Sequence, residues 1–181
     1  MKKLISLLLC LSFVFAFSSC KESEVENVYS TLEHYATLGR MPEAAFALGA
    51  DIETSNSELS KAAEQDENKF YDFAEGTTTG YFTDGDFEYF YSLDNTGAGI
   101  GYVVSYSTAF GFPTGTVITE IEAAIKGSDY QKTELSADDV FFLMGVSEGT
   151  VIKCKFEKCT ISFIFIDNVL CASTIYHNDW K

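Results

Sequence analysis

Apolar residues follow two different spacings along this chain. Val25, Val28, Leu32 and Tyr35 recur at helical spacing and stop before Gly39, which predicts an amphipathic helix over residues 25–39 that covers a sheet. A short helix is expected next, with Pro42 near its start and Gly49 at its end. A third helix is expected where Val117, Ile118, Ile121 and Ile125 share one face and Gly127 stands at the cap position.

Between and after these segments the period drops to two. Around an Asp84-Gly85 turn, alternation puts Phe82, Phe87, Tyr89, Tyr91 and Leu93 on one face and Tyr81, Asp86, Glu88, Phe90 and Ser92 on the other. Downstream, turns at residues 155–158 and at Asp167-Asn168 would gather Ile152, Cys154, Cys159, Ile161, Phe163, Phe165, Leu170, Ala172 and Tyr176 on one face. The other face then holds Lys153, Lys155, Lys158, Thr160, Ser162, Ser173 and His177. That separation predicts a sheet buried on one side and wet on the other. It also sets Cys154 across from Cys159, either as a disulfide or as a reduced buried pair, with Cys171 the odd thiol on the other face.

The two strand regions resemble each other. "EGTTTGYFTDGDFEYFYSLDN" (residues 75–95) and "EGTVIKCKFEKCTISFIFIDN" (residues 148–168) align without a gap at an offset of 73, with Glu, Gly, Thr, Phe, Asp and Asn coinciding. An upstream echo pairs "ALGADI" (residues 47–52) with "AIKGSDY" (residues 124–130). Alternation places Phe90 and its match Phe163 on opposite faces, a conflict that a bulge in one copy would reconcile. The expectation is an α+β fold of two tandem units, residues 40–110 and 111–181, each a helix packed on an antiparallel sheet.

The N-terminus changes where such a domain would live. Lys2 and Lys3 precede an apolar run from Leu4 to Ala16, too short for a membrane span, and the small residues Ser18 and Ser19 precede Cys20. This layout resembles that of bacterial lipoproteins, although Phe17 stands where that class prefers Leu. The resemblance implies a signal peptide over residues 1–19, a lipid on Cys20, attachment to the membrane through that lipid, and residence in the cell envelope. The outer membrane of a Gram-negative bacterium is the location it favours. Several acyl chains make a stable anchor where one does not. The acidic tether of residues 20–24 and just beyond is either a solvated linker or similar to the export signal that places some lipoproteins on the outer surface.

Charge narrows the partners. Twelve Lys and Arg against twenty-seven Asp and Glu give a formal charge of −15, so nucleic acid, which requires cations against its phosphates, is excluded as a partner. Tandem helix-on-sheet units resemble the beta-lactamase inhibitor protein family over about residues 40–178 in layout and repeat length. That resemblance implies a concave aromatic face that grips another protein, with Tyr89, Tyr91, Tyr102 and Tyr106 as its candidates; no inhibitory target follows from it.

Other chemistry is poorly supported. "GVSEG" (residues 145–149) matches G-x-S-x-G, and Ser147, Asp167 and His177 follow in hydrolase order, but a strand pattern follows the serine where an elbow needs a helix. "GAGIG" (residues 97–101) leads into a strand and reads as a hairpin connection, not a phosphate loop. Asp84, Asp86 and Glu88 lack calcium-loop spacing, and neither His34 nor His177 lies near a cysteine at zinc spacing, so no metal or cofactor is expected. The expected function is therefore a non-enzymatic, lipid-anchored module that captures or inhibits a protein. A surface glycan binder is the alternative, with Trp180 a poor platform at the C-terminus, and a hydrolase on Ser147 ranks below both.

Overall fold

A computed structural model describes residues 28–93, 99–140 and 146–180. The expected signal peptide, Cys20 and the acidic tether lie outside the described residues. Helix α1 (Val28–Leu38) begins within the expected segment, buries Leu32 and Ala36, and ends where Gly39 takes φ +60°, a left-handed conformation that suits glycine.

The next helix is displaced from its expected place. Residues 40–50 run as turns, held by Arg40 Nε donating to the Ala44 carbonyl and Gly49 N–H to that of Ile100. Helix α2 (Ile52–Gln65) starts after them, where the Asp51 carboxylate accepts from Thr54 N–H at 2.8 Å. The cap at Asp51 outweighs the Pro42 and Gly49 punctuation because it satisfies an N–H that the first turn leaves open. The expected third helix is α3 (Ile118–Ala124), with Ile118, Ile121 and Ile125 buried and Val117 exposed at its N-terminal boundary.

Eight antiparallel strands form one sheet: β1 (Asp72–Glu75), β2 (Thr79–Thr83), β3 (Phe87–Ser92), β4 (Tyr102–Ser105), β5 (Gln131–Glu134), β6 (Thr150–Lys155), β7 (Cys159–Ile166) and β8 (Val169–His177). Their order is β1-β2-β3-β4-β8-β7-β6-β5, so two four-strand meanders meet along β4 and β8. Segment 106–130, which contains α3, carries the chain from the middle of the sheet to its far edge. Charged residues mark both edges, Asp72 and Glu75 on β1, Lys132 and Glu134 on β5, which discourages pairing with stray strands.

The helices cover one face, and the other, expected to be wet, also buries a smaller core that includes Phe90, Tyr102, Val104, Val151 and Ile164. Phe82, Tyr89 and Tyr91 of the first meander and Ile152, Ile161, Phe163 and Phe165 of the second share a core with Leu32, Met41, Ile121 and Ile125. The alternation around Asp84-Gly85 is as expected: Gly85 takes φ +94°, and the Asp84 carboxylate accepts from the N–H groups of Asp86 and Phe87. The Asp167-Asn168 turn also forms, both residues at positive φ as a tight hairpin requires.

The second meander departs from simple alternation in β8. The pairing shifts between Ile164 and Phe165, leaving Cys171 as the extra residue, so Leu170 faces the core while Ala172 and Tyr176 join the opposite face and Ile175 takes the core position. The bulge also brings Ser173 opposite the core residue Phe163, whereas it was expected on the wet face. Cys154 pairs with Ile161, not with Cys159, because the turn centres on Glu157 and Lys158. Both cysteines are free and buried, and burial pushes their thiols up to about 11. The same hairpin registers also remove the phase conflict in the repeat. Phe82 pairs with Tyr89 and Cys154 with Ile161, and all four lie on the covered face, which relates Tyr89 to Ile161 and Tyr91 to Phe163.

Candidate functional site

The opposite face of the sheet carries a row of aromatic residues. Tyr81 on β2 pairs with Phe90 on β3, Phe90 with Tyr102 on β4, and Tyr102 with Tyr176 on β8, so four rings stand side by side over about 14 Å at normal strand spacing. Ring centroids are 5.4 Å apart for Tyr81 and Phe90, 6.2 Å for Phe90 and Tyr102, and 4.9 Å for Tyr102 and Tyr176, the last pair stacked 7° from parallel. Offset stacks and edge contacts of this kind add about 0.5–1.5 kcal/mol per pair beyond burial, so the row is a rigid floor.

Trp180 completes it. Its ring centroid lies 5.9 Å from that of Tyr102, and a Cβ on Gly101 would come within 2.2 Å of the indole, so only glycine at 101 lets the indole settle there. The residues before it hold it in place. Asn178 donates to the carbonyls of Phe156 and Glu157 and accepts from the Thr160 hydroxyl, and Trp180 N–H donates to the His177 carbonyl at 3.0 Å.

A cleft of about 980 Å³ opens over this floor. The β1–β2 connection, residues 74–79, forms part of its wall, and Asp138 and Asp139 of the short 3-10 turn Ala137–Asp139 contribute another. Asp139 is 9% exposed, pairs with Lys153 of β6 and accepts from the Ser136 hydroxyl and N–H. Burial works against its charge, but the hydrogen bonds from Lys153 and Ser136 prevail and hold its carboxyl below the ordinary value. Glu88 of β3 is half-buried and accepts from the Tyr106 hydroxyl at 2.8 Å; here burial prevails and its carboxyl is pushed up. Tyr102 and Tyr106 are driven well above the ordinary tyrosine value, chiefly by burial, and for Tyr106 also by the Glu88 hydrogen bond.

The four tyrosines expected to form a binding face are divided by the sheet. Tyr102 lies in the floor but is itself 3% exposed and presents no more surface than Tyr91, while the half-buried Tyr106 stands beside Glu88 at the same face. Tyr89 and Tyr91 point the other way, into the packed core, at 0% and 6% exposure, so neither presents a surface to a partner. The Tyr89 hydroxyl is used there: it accepts from Ala45 N–H at 3.0 Å and donates to Asp84. Sequence reasoning did not select Tyr81, Phe90, Tyr176, Trp180 or Glu88. The alternation already set Tyr81, Phe90 and Glu88 opposite Tyr89; what it did not indicate is which face the helices would cover.

The hydrolase order does not assemble. Ser147 and Asp167 lie near one end of the β6–β7 pair, while His177 closes the nine-residue β8 about 30 Å from Asp167 at strand rise. Asp84 is engaged in its own turn and Glu88 faces the cleft, so the acidic run forms no cluster. Among the described residues there is no group of three or more His, Cys, Asp or Glu suited to a metal. "GAGIG" ends in close packing, where Gly99 at φ +78° lies against the backbone of Gly49 and Ala50. No helix among the described residues is long and apolar enough to cross a membrane. Comparison of the chain with protein-family models, curated proteins and solved structures found no match.

Proposed function

We propose that this protein is a lipid-anchored binding module of the cell envelope that captures or inhibits another protein without catalysing a reaction. The observation that carries this reading is the set of half-buried rings of Tyr81, Tyr176 and Trp180, held beside the buried Phe90 and Tyr102 and beneath a cleft large enough to seat side chains of a partner. Aromatic rings that are already rigid lose little entropy on binding, which suits them to anchor an interface. The N-terminal layout around Cys20 supports attachment to the outer membrane through lipid. Two tandem units, residues 40–110 and 111–181, are supported by the order of the strands, in which α2 and then a meander are followed by α3 and then a second meander. This is the layout in which the chain resembles the beta-lactamase inhibitor proteins.

A glycan-binding surface lipoprotein is the second reading, and the position of Trp180 favours it, since an indole beside partly exposed tyrosines could stack on sugar rings. The deciding experiment immobilises the full chain in detergent and recovers bound envelope proteins. Capture reads as one dominant protein, retained by the wild type and lost when Tyr81 and Trp180 are changed to Ala in a chain that still melts cooperatively. Retention of glycans and of no protein would replace the first reading with the second. Metabolic labelling with a radioactive fatty acid, abolished by Cys20→Ser, tests the anchor.

A further inference from the structure

We infer that the cleft receives the guanidinium group of an arginine presented by the captured protein, an inference that rests on the capture reading above. Four carboxylates line the cleft, Glu75, Glu88, Asp138 and Asp139, against the single ammonium of Lys153. Lys153 is paired with Asp139, whose remaining capacity is taken up by Ser136. Glu75, Glu88 and Asp138 are left as an excess of negative charge, and the hydroxyl that Tyr106 donates to Glu88 brings no positive charge with it.

The cleft therefore has two surfaces that recognise the same chemistry. Tyr81 and Trp180 are partly exposed and offer ring faces, which attract cations through the aromatic quadrupole. Carboxylates offer acceptor pairs matched to a planar guanidinium, which can stack on a ring and bind bidentately at once; a lysine ammonium can do only part of this. A neutral sugar would gain the stacking and could donate hydroxyls to the carboxylates, but it would bring no positive charge to balance theirs. An anion would be repelled, both locally and by the formal charge of −15. The desolvation that raises the Glu88 carboxyl is the condition a bound cation would relieve.

Trp180 is the only tryptophan in the chain, so its emission reports from the site itself. The full chain is titrated with hexa-arginine, hexa-glutamate and a neutral hexasaccharide of N-acetylglucosamine. Hexa-arginine should shift Trp180 emission saturably, and E75Q/E88Q should weaken it roughly tenfold, the scale of one lost charge-assisted contact. E58Q/E64Q removes the same charge from α2 on the covered side and should change it less than about twofold, as expected of exposed charges distant from the ligand. Y81L, which keeps the charge and removes the ring, should weaken it as well. Equal weakening by both double variants would reduce the effect to general attraction and overturn the inference. A shift with the hexasaccharide and none with hexa-arginine would overturn it in favour of sugars. No shift with any probe, while the envelope protein is still captured through Tyr81 and Trp180, would overturn the arginine and leave capture standing.

Discussion

The two faces of the one sheet are both rich in aromatic residues, and they put them to opposite use. On the covered face Phe82, Tyr89, Tyr91 and Phe163 interlock with the helices and the turns of residues 40–50. On the cleft face Tyr81 and Tyr176 are the half-buried ends of a single row whose middle rings, Phe90 and Tyr102, are buried in a smaller core with Val104, Val151 and Ile164. The difference lies in what surrounds the rings. The rings of the larger core are enclosed mainly by apolar side chains, whereas the row shares a smaller core with Val104, Val151 and Ile164 and is bordered on its open side by Glu75, Glu88, Asp138 and the Asp139–Lys153 pair. An aromatic strand is therefore no guide to a binding surface until its polar neighbours are known.

The sharpest way to break this comparison is to remove one ring from each face. Phe163 is fully buried among Phe110 and Phe112, and Phe163→Ala should lose about 3–5 kcal/mol of stability, the usual range for a buried aromatic truncated to alanine. Tyr176→Ala removes a ring that is half-buried and stacked mainly on Tyr102, and should lose only about 1 kcal/mol. Urea unfolding midpoints of the two variants measure both. Equal losses would mean that Tyr176 is locked into the smaller core as firmly as Phe163 is into the larger, and the functional reading of that face would fall.

How much of this contrast was legible follows from particular residues. Period-two alternation is local, so the faces of β2 and β3 and the turn at Asp84-Gly85 could be read directly. The Cys171 bulge could not, because one added residue leaves no trace in a strand that is apolar on both sides, and it reversed Ala172 and Tyr176. Which face is covered depends on contacts distant in sequence, such as Tyr89 with Ala45, and for this reason Tyr89 and Tyr91 read as surface candidates. From its terminal position Trp180 reads as a poor platform. Asn178, which ties the chain end to the β6–β7 turn, and Gly101, which makes room for the indole, are what bring it into the site.

A smaller change tests whether the hydroxyls also follow the division. Tyr89→Phe keeps the ring but withdraws the acceptor from Ala45 N–H and the donor from Asp84, and should lose about 1–2 kcal/mol, as expected when buried partners are left unmet. Thermal or urea unfolding reads it. A neutral outcome would show that the Tyr89 hydroxyl adds nothing to the packing and the other hydrogen bonds that hold the turns of residues 40–50.

The smallest effect separates two carboxylates within the cleft, and pH is the variable that does it. The Asp139 carboxyl lies below its ordinary value of 3.8, so its pairing adds stability at neutral pH that is lost as pH falls below 3.8 through its folded value. The Glu88 carboxyl lies above its ordinary value of 4.5, so the folded state holds that proton more tightly than the unfolded one; its contribution is most favourable below 4.5 and declines as pH rises through the folded value. Glu88→Gln keeps an acceptor for Tyr106 and removes the charge that burial disfavours. The variant should therefore melt a little higher than the wild type at pH 7, and the gap should close by pH 4, where the native carboxyl is itself mostly neutral. If Glu88→Gln melted lower at pH 7 and the deficit vanished at pH 4, the carboxylate would already have a cation to hold, and the cleft would lack the unmet negative charge that sets it apart from the covered face.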